Sequence, residues 1–257
     1  MCKKASNISS DTIFPRFKRY CVLLITLFFF FFISIITFSV QAETKCFMSS
    51  AGISPNQTRV LEFPSDRSIG FVYIREFTAH GNESEKVTWE YLGKARGELH
   101  VPINKEVRLN INIDAVKDLS PLELLEPNAV YALKLPRTQI DDDAWNQILH
   151  LKKLEELNCG GSQITDKYVK RIQELRSLKR LDLGSTQVSD TGIQYLSELP
   201  FLESLSLWST PITNTALIHI SNLKSLKDLY LGLTNIDDKG IAHIKVVPMR
   251  WTESPLN

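Results

Sequence analysis

Leucines recur through the second half of the chain at a fixed interval. Leu154, Leu178, Leu202 and Leu226 stand 24 residues apart, and each opens the same phrase. The phrases run Leu154-Glu-Glu-Leu157-Asn-Cys159, Leu178-Lys-Arg-Leu181-Asp-Leu183, Leu202-Glu-Ser-Leu205-Ser-Leu207 and Leu226-Lys-Asp-Leu229-Tyr-Leu231. A weaker copy one period earlier carries Val130, Leu133 and Leu135. Beyond each phrase comes a hydroxyl residue (Thr138, Ser162, Thr186, Thr210 or Thr234), then Ile140, Ile164, Val188, Ile212 or Ile236. After a short polar step the apolar residues fall three apart, as in Ile193, Leu196 and Leu199 or Leu217, Ile220 and Leu223.

Each half of this pattern predicts an element. In L-x-x-L-x-L the second and third leucines share one face of a short strand, because side chains alternate across a strand. The later triplet gives the apolar stripe of a short helix. Neither element buries its face alone, so the units must stack strand beside strand around one continuous core. Asp142, Asp166, Asp190 and Asp238, with Asn214 in the remaining copy, recur at the helix starts. There an Asp or Thr is expected to accept the orphan N–H groups of the first turn.

A period of this length with L-x-x-L-x-L marks a leucine-rich repeat. Residues 186–193, Thr-Gln-Val-Ser-Asp-Thr-Gly-Ile, and 234–241, Thr-Asn-Ile-Asp-Asp-Lys-Gly-Ile, resemble the T-x-I-T-D-x-G-L phrase of bacterial leucine-rich repeat proteins. A related phrase occurs in the repeats of F-box adaptors. The resemblance implies an α/β solenoid of five strand–helix repeats over residues 130–249, with a parallel sheet on one face. It also implies a scaffold for recognising proteins or other macromolecules. The tail, 250–257, resembles neither a repeat nor a cap, and Pro248 breaks the last helix.

Between residues 43 and 129 the pattern changes to a period of two. β-favouring runs cover Ile69–Phe77, Val87–Leu92, Glu98–Val101 and Val107–Ile113, the last alternating strictly. Pro102 to Lys105 reads as a hairpin connection between the last two runs. Asp118 to Leu122 starts a short helix with Pro121 in its first turn. A small β-rich domain is expected, capping the N-terminal end of the solenoid.

Residues 1–42 read as a targeting device. Lys3, Lys4, Arg16, Lys18 and Arg19 precede an uncharged stretch from Tyr20 to Ala42 that contains Phe28 to Phe32. It closes on Val40-Gln41-Ala42, which fits an export signal cut after Ala42. The stretch is also long enough to span a bilayer, so a retained anchor holding residues 20–42 in the membrane fits as well. Either way the basic end stays in the cytoplasm and the rest is exported.

Composition narrows the function. Hydrophobic residues make up 43% of the 257, which excludes a disordered chain. Thirty basic residues against 29 acidic argue against nucleic acid or any partner held by bulk charge. The four cysteines form no C-x-x-C pair, and Cys46 and Cys159 alone follow the targeting segment. No nucleophile-elbow, zincin, P-loop or dinucleotide motif occurs, so no enzyme and no cofactor is expected. Asp141-Asp142-Asp143 and Asp237-Asp238 read as helix caps rather than cation sites. His219 and His243 share one repeat position, where Tyr195 and Arg171 supply no third metal ligand. Cys159 takes a leucine's place in a strand and is expected to be buried and inert. Asn56-Gln57-Thr58 and Asn82-Glu83-Ser84 match the glycosylation pattern.

The reading is therefore an exported recognition module that binds a protein or other macromolecule on its strand face. A substrate-recruiting adaptor of the F-box type and a structural envelope component are the alternatives. The adaptor would need an F-box and a cytoplasmic address, where a β-rich segment and an export signal stand instead. The residues expected to point from the strands toward a ligand include Arg180, Asp182, Ser204, Ser206, Asp228 and Tyr230. Trp208 stands where other copies carry Pro136, Gly160, Gly184 or Gly232, in a repeat charged only at Glu203 and Lys224. An exposed indole beside Tyr230 has the composition of a binding hot spot. The alternative is that Trp208 folds over the strand end and packs on Pro211.

Overall fold

The computed structural model of the chain describes residues 57–76 and 88–242. From Thr58 on, these belong to one compact unit. The expectations for residues 1–42, Cys46, Asn56, Asn82, His243 and 250–257 lie outside the described residues.

Five strands come first: β1 (Thr58–Glu62), β2 (Gly70–Glu76), β3 (Glu90–Lys94), β4 (Glu98–Pro102) and β5 (Lys105–Ile111). Two 3₁₀ turns, Ile113–Lys117 and Ser120–Leu124, lead into the repeats. The repeat strands are β6 (Ala132–Lys134), β7 (Glu156–Asn158), β8 (Arg180–Asp182), β9 (Ser204–Ser206) and β10 (Asp228–Tyr230). Between and after them lie α1 (Asp142–Ile148), α2 (Asp166–Ile172), α3 (Asp190–Ile193), α4 (Asn214–Ile220) and α5 (Asp238–Ile241). Helix α3 runs on as a 3₁₀ turn over Gln194–Glu198.

The repeats pair in parallel with no register slip. Leu109, Leu133, Leu157, Leu181, Leu205 and Leu229 stand opposite one another across six strands, each at most 1% exposed. One-residue slippage would turn that whole column to solvent, which is why the register is so strongly specified. Below it lie Leu135, Cys159, Leu183, Leu207 and Leu231, and then Ile140, Ile164, Val188 and Ile212, all buried.

The hydroxyl column has a defined role. Just past the strands the backbone turns through a left-handed residue at Gly161, Ser185, Ser209 and Leu233, again 24 apart. The turn leaves the carbonyl at the strand's third apolar position facing inward. Thr186 and Thr210 donate their hydroxyls to the carbonyls of Leu183 and Leu207, each at 2.6 Å. Ser162 and Thr234 do the same for Cys159 and Leu231. A buried carbonyl is thereby satisfied without breaking the stack.

The helix starts differ from expectation by one residue. The caps are Asp141, Thr165, Ser189, Thr213 and Asp237, and the recurring Asp or Asn is the first helical residue. Its side chain reaches forward to the next repeat's cap. Asp166 accepts from the Ser189 N–H (2.8 Å) and hydroxyl (2.6 Å), and Asp190 from those of Thr213 (2.8 and 2.7 Å). Asn214 accepts from the Asp237 N–H and donates to its carboxylate. Asp142 departs from the series and pairs with Lys167 at the surface. The glycine of the repeat phrase makes room for this rung. A Cβ on Gly192 would stand 2.4 Å from Asp166 Oδ1, and one on Gly240 would stand 2.1 Å from Asn214 Oδ1.

The β-rich segment does not stand apart as a domain. β5 pairs in parallel with β6, and β2 and β3 continue outward from it. One eight-stranded sheet results, in the order β10-β9-β8-β7-β6-β5-β2-β3. The hairpin expected at Pro102–Lys105 is a corner instead: β4 pairs with β1 in a separate two-stranded sheet. Val107, Leu109 and Ile111 are all buried, so β5 belongs to the repeats' core, whereas β4 buries only Val101. The alternation stops at Ile111, and Ile113 is 59% exposed.

Candidate binding face

The face of the large sheet opposite the leucine column carries two rows of side chains in register. One row runs Tyr73, Arg108, Ala132, Glu156, Arg180, Ser204 and Asp228. The other runs Phe71, Asn110, Lys134, Asn158, Asp182, Ser206 and Tyr230. All seven side chains expected at a ligand surface are brought together here, or just beyond the strand end in the case of Trp208.

Their exposure is not what alternation alone suggests. Arg180, Asp228 and Tyr230 are half-buried, while Asp182, Ser204 and Ser206 are covered, at 9%, 9% and 2% exposed. Short side chains between close-packed parallel strands lie below the tips of their longer neighbours. Asp182 also folds onto its own strand end, accepting the Gly184 N–H at 2.9 Å. Asn158 does the same with Gly160. Ser206 Oγ is buried with no hydrogen-bond partner. Trp208 is half-buried rather than exposed, and its indole lies against Gly232, where a Cβ would come within 2.7 Å of Cδ1.

A denser cluster sits at the other end of the face, where β2, β3 and β5 meet β6 to β8. Arg75 is its hub. The guanidinium bonds Glu106 at 2.6 Å and Glu156 at 2.8 Å and lies 4.1 Å from the Trp89 ring centroid and 4.9 Å from that of Tyr131. Glu156 is shared with Arg180, also at 2.8 Å. Burial opposes the Arg75 charge, but Glu156 and Glu106 outweigh it and raise its pKa above the ordinary value. Glu106 is pushed the other way: burial raises its carboxyl above the usual range despite Arg75. Arg108 stands between Tyr73 (4.8 Å) and Trp89 (4.9 Å), and burial lowers its pKa. Around it Tyr91 packs on Tyr73 and Phe71, with centroids 5.7 and 6.2 Å apart, and stays 57% exposed.

Sequence reasoning missed this cluster. The alternation of Phe71, Tyr73 and Arg75, and of Trp89 and Tyr91, was a visible signal that each strand has one such face. Which strands neighbour one another, and that they continue the sheet of the repeats, was not.

Other expected features resolve plainly. Cys159 is free, fully buried and held as the thiol, its pKa pushed up by burial and then by Asp182. Asp141 and Asp237 cap their helices, accepting from Ala144 and from Lys239 and Gly240. His219 lies half-buried in the last turn of α4. Among the described residues no group of three or more His, Cys, Asp or Glu side chains gathers as a metal site. No described helix is long and apolar enough to cross a membrane.

The fold and the face together define a class: a stack of short strand–helix repeats presenting a parallel sheet. The leucine rich repeat family model matches residues 174–197, one full period. With five copies in register, the chain is a leucine-rich repeat protein. No curated protein matches. Among solved structures, an internalin (inlF) of Listeria monocytogenes is 22% identical over 55% of this chain and 45% of its own, with a TM-score of 0.38. Internalin C2 of the same organism is 24% identical over 51% of this chain and 74% of its own, with a TM-score of 0.36. The ectodomain of the Arabidopsis receptor kinase HAESA, solved with a peptide hormone, is 18% identical over 51% of this chain and 23% of its own, at 0.37. The chain thus spans under half of the first of these.

Proposed function

We propose that the chain is an exported recognition module that binds a protein ligand on the strand face of its sheet. One observation carries the reading: two registered rows over a buried apolar core include Tyr73, Arg108, Arg180 and Tyr230, and Arg75, Trp89 and Tyr91 pack beside them. Aromatic and arginine side chains on a preformed surface are the composition that concentrates binding energy. A parallel sheet held by a buried leucine column loses little conformational entropy when a ligand docks.

Export rests on residues 1–42, whose basic flank and apolar run fit a signal or an anchor. A tagged chain on whole cells should be open to added protease. The mass of the exported form then reads whether it starts at Glu43 or retains residues 20–42 in the membrane. For the binding face, a photo-crosslinking residue at Tyr230 or Lys134 should capture a partner that the same group at Lys170 or Ile218 on the helices does not. Equal capture from both sides, or from the helices alone, would refute the strand face as the ligand surface.

A further inference from the structure

The face holds three guanidiniums but divides its carboxylates unevenly. Arg75 takes Glu106 and Glu156, and Arg180 takes Glu156 as well. Arg108 forms no hydrogen bond or ion pair among the described residues, and its Nε is buried without a partner. A desolvated donor left unpaired is costly, and more so on a charged group. The two rings beside Arg108 compensate only in part, because cation–π contact satisfies the charge but not the N–H groups. Their stacking also holds the planar fork in place, so an arriving carboxylate finds it already oriented.

The surroundings of Arg108 match such a group. Its in-register neighbour on β6 is Ala132, whose methyl is too short to pair with or cover the guanidinium. Lys134, exposed, adds a second positive charge one row over. Nearby, Phe71 and Tyr91 are 38% and 57% exposed.

We propose that Arg108 anchors an aspartate or glutamate side chain within a segment of the protein ligand, with Phe71 and Tyr91 receiving an apolar residue beside it. The proposal rests on the strand face being the ligand surface. An internal acidic residue is favoured over a chain terminus because the two rows continue past Arg108 in both directions, so a segment runs through rather than stops.

The test uses the full chain in detergent as bait for a display library of random segments held within a loop, lacking a free carboxyl end. Selected segments should share an Asp or Glu next to an apolar residue. Changing that acid to its amide should weaken binding to the unmodified chain at least tenfold. Arg108→Gln should weaken binding of the acidic segment equally, and the two changes together should add nothing further. Arg108→Lys should also fail, since it keeps charge but not the stacked fork. Because the segment's own substitution is read on the unaltered chain, the result does not depend on a variant folding. Segments without an acid, an amide change without loss, preference for a library with free carboxyl ends, or no enrichment would each overturn the proposal. Segments indifferent to Arg108→Gln but blocked by Lys134→Trp overturn the Arg108 assignment alone. Segments indifferent to both overturn the strand-face reading as well.

Discussion

Asp190 and Asp142 occupy the same position in their repeats, yet only the substitution of Asp190 by alanine should lower stability. Asp190 on α3 accepts both the N–H and the hydroxyl of Thr213, the cap of the next helix, at 2.8 and 2.7 Å. Asp142 instead meets Lys167 at the surface, where both side chains are more than half exposed. A hydrogen bond to a charged group contributes about 1.5–3 kcal/mol net. Asp190→Ala removes two such bonds that share one carboxylate and leaves the Thr213 N–H without its acceptor. Because the pair acts as a unit, about 2–4 kcal/mol is expected rather than a doubled value. Asp142→Ala should leave stability unchanged, since an exposed ion pair competes with water and salt. Urea titration followed by tryptophan fluorescence reads both, and the midpoint is compared at constant m-value. A cycle with Thr213→Val should return a coupling of about 0.5–3 kcal/mol, locating the loss in that rung. Equal midpoints for the two alanine variants would refute the rungs as a source of stability between repeats.

Leu205→Ala empties a fully buried site in the leucine column and should cost about 2–5 kcal/mol in the same titration. Ser206→Ala beside it removes a buried hydroxyl with no partner and should be neutral or slightly stabilising, so a clear loss there would show that the hydroxyl is satisfied. Leu233 combines φ +57° with 72% exposure, so Leu233→Gly should raise stability by about 1–2 kcal/mol by relieving the left-handed strain. Cys159, fully buried, should react with a thiol reagent only at the rate of unfolding; labelling in the native state would refute its placement.

The fold of the repeats was legible because one variable, the position of leucine, sets strand register, helix stripe and stacking at once. The helix caps were misplaced by one residue for a definable reason. Asp166 and Asp190 sit at the start of a helix with the composition of a cap, and nothing local distinguishes bonding one's own turn from bonding the next repeat. The neighbouring Ser189 and Thr213 were visible but are understood only once adjacent repeats are superposed at 24 residues. That the β-rich segment covers the N-terminal end of the repeats was expected, but that it continues their sheet could not be read. β5 to β6 is a parallel crossover through two 3₁₀ turns, and such a link leaves no periodic trace. The arginine–aromatic cluster was missed with it, since Arg75, Trp89 and Arg108 come from three separate stretches of chain whose proximity depends on that shared sheet. At the other end, Trp208 was correctly placed just past its strand, but its packing followed from Gly232 a full period later.

The same geometry separates the two ends of the face by what each can offer a ligand. At β9, Ser204 and Ser206 are too short to rise above their neighbours, and the indole of Trp208 already has a surface to cover at Gly232. A ligand arriving there gains contact area but replaces packing that exists. At β2, β3 and β5 the aromatic rings hold one another and the guanidiniums in position, yet Tyr91 remains open and Arg108 lacks an acceptor. There a ligand adds bonds that the free protein does not make, with side chains that have already lost their rotamer freedom. Interaction energy per residue should therefore be greatest ahead of the repeats. On the proposed strand face, the repeat strands would extend the surface along which a bound segment is aligned.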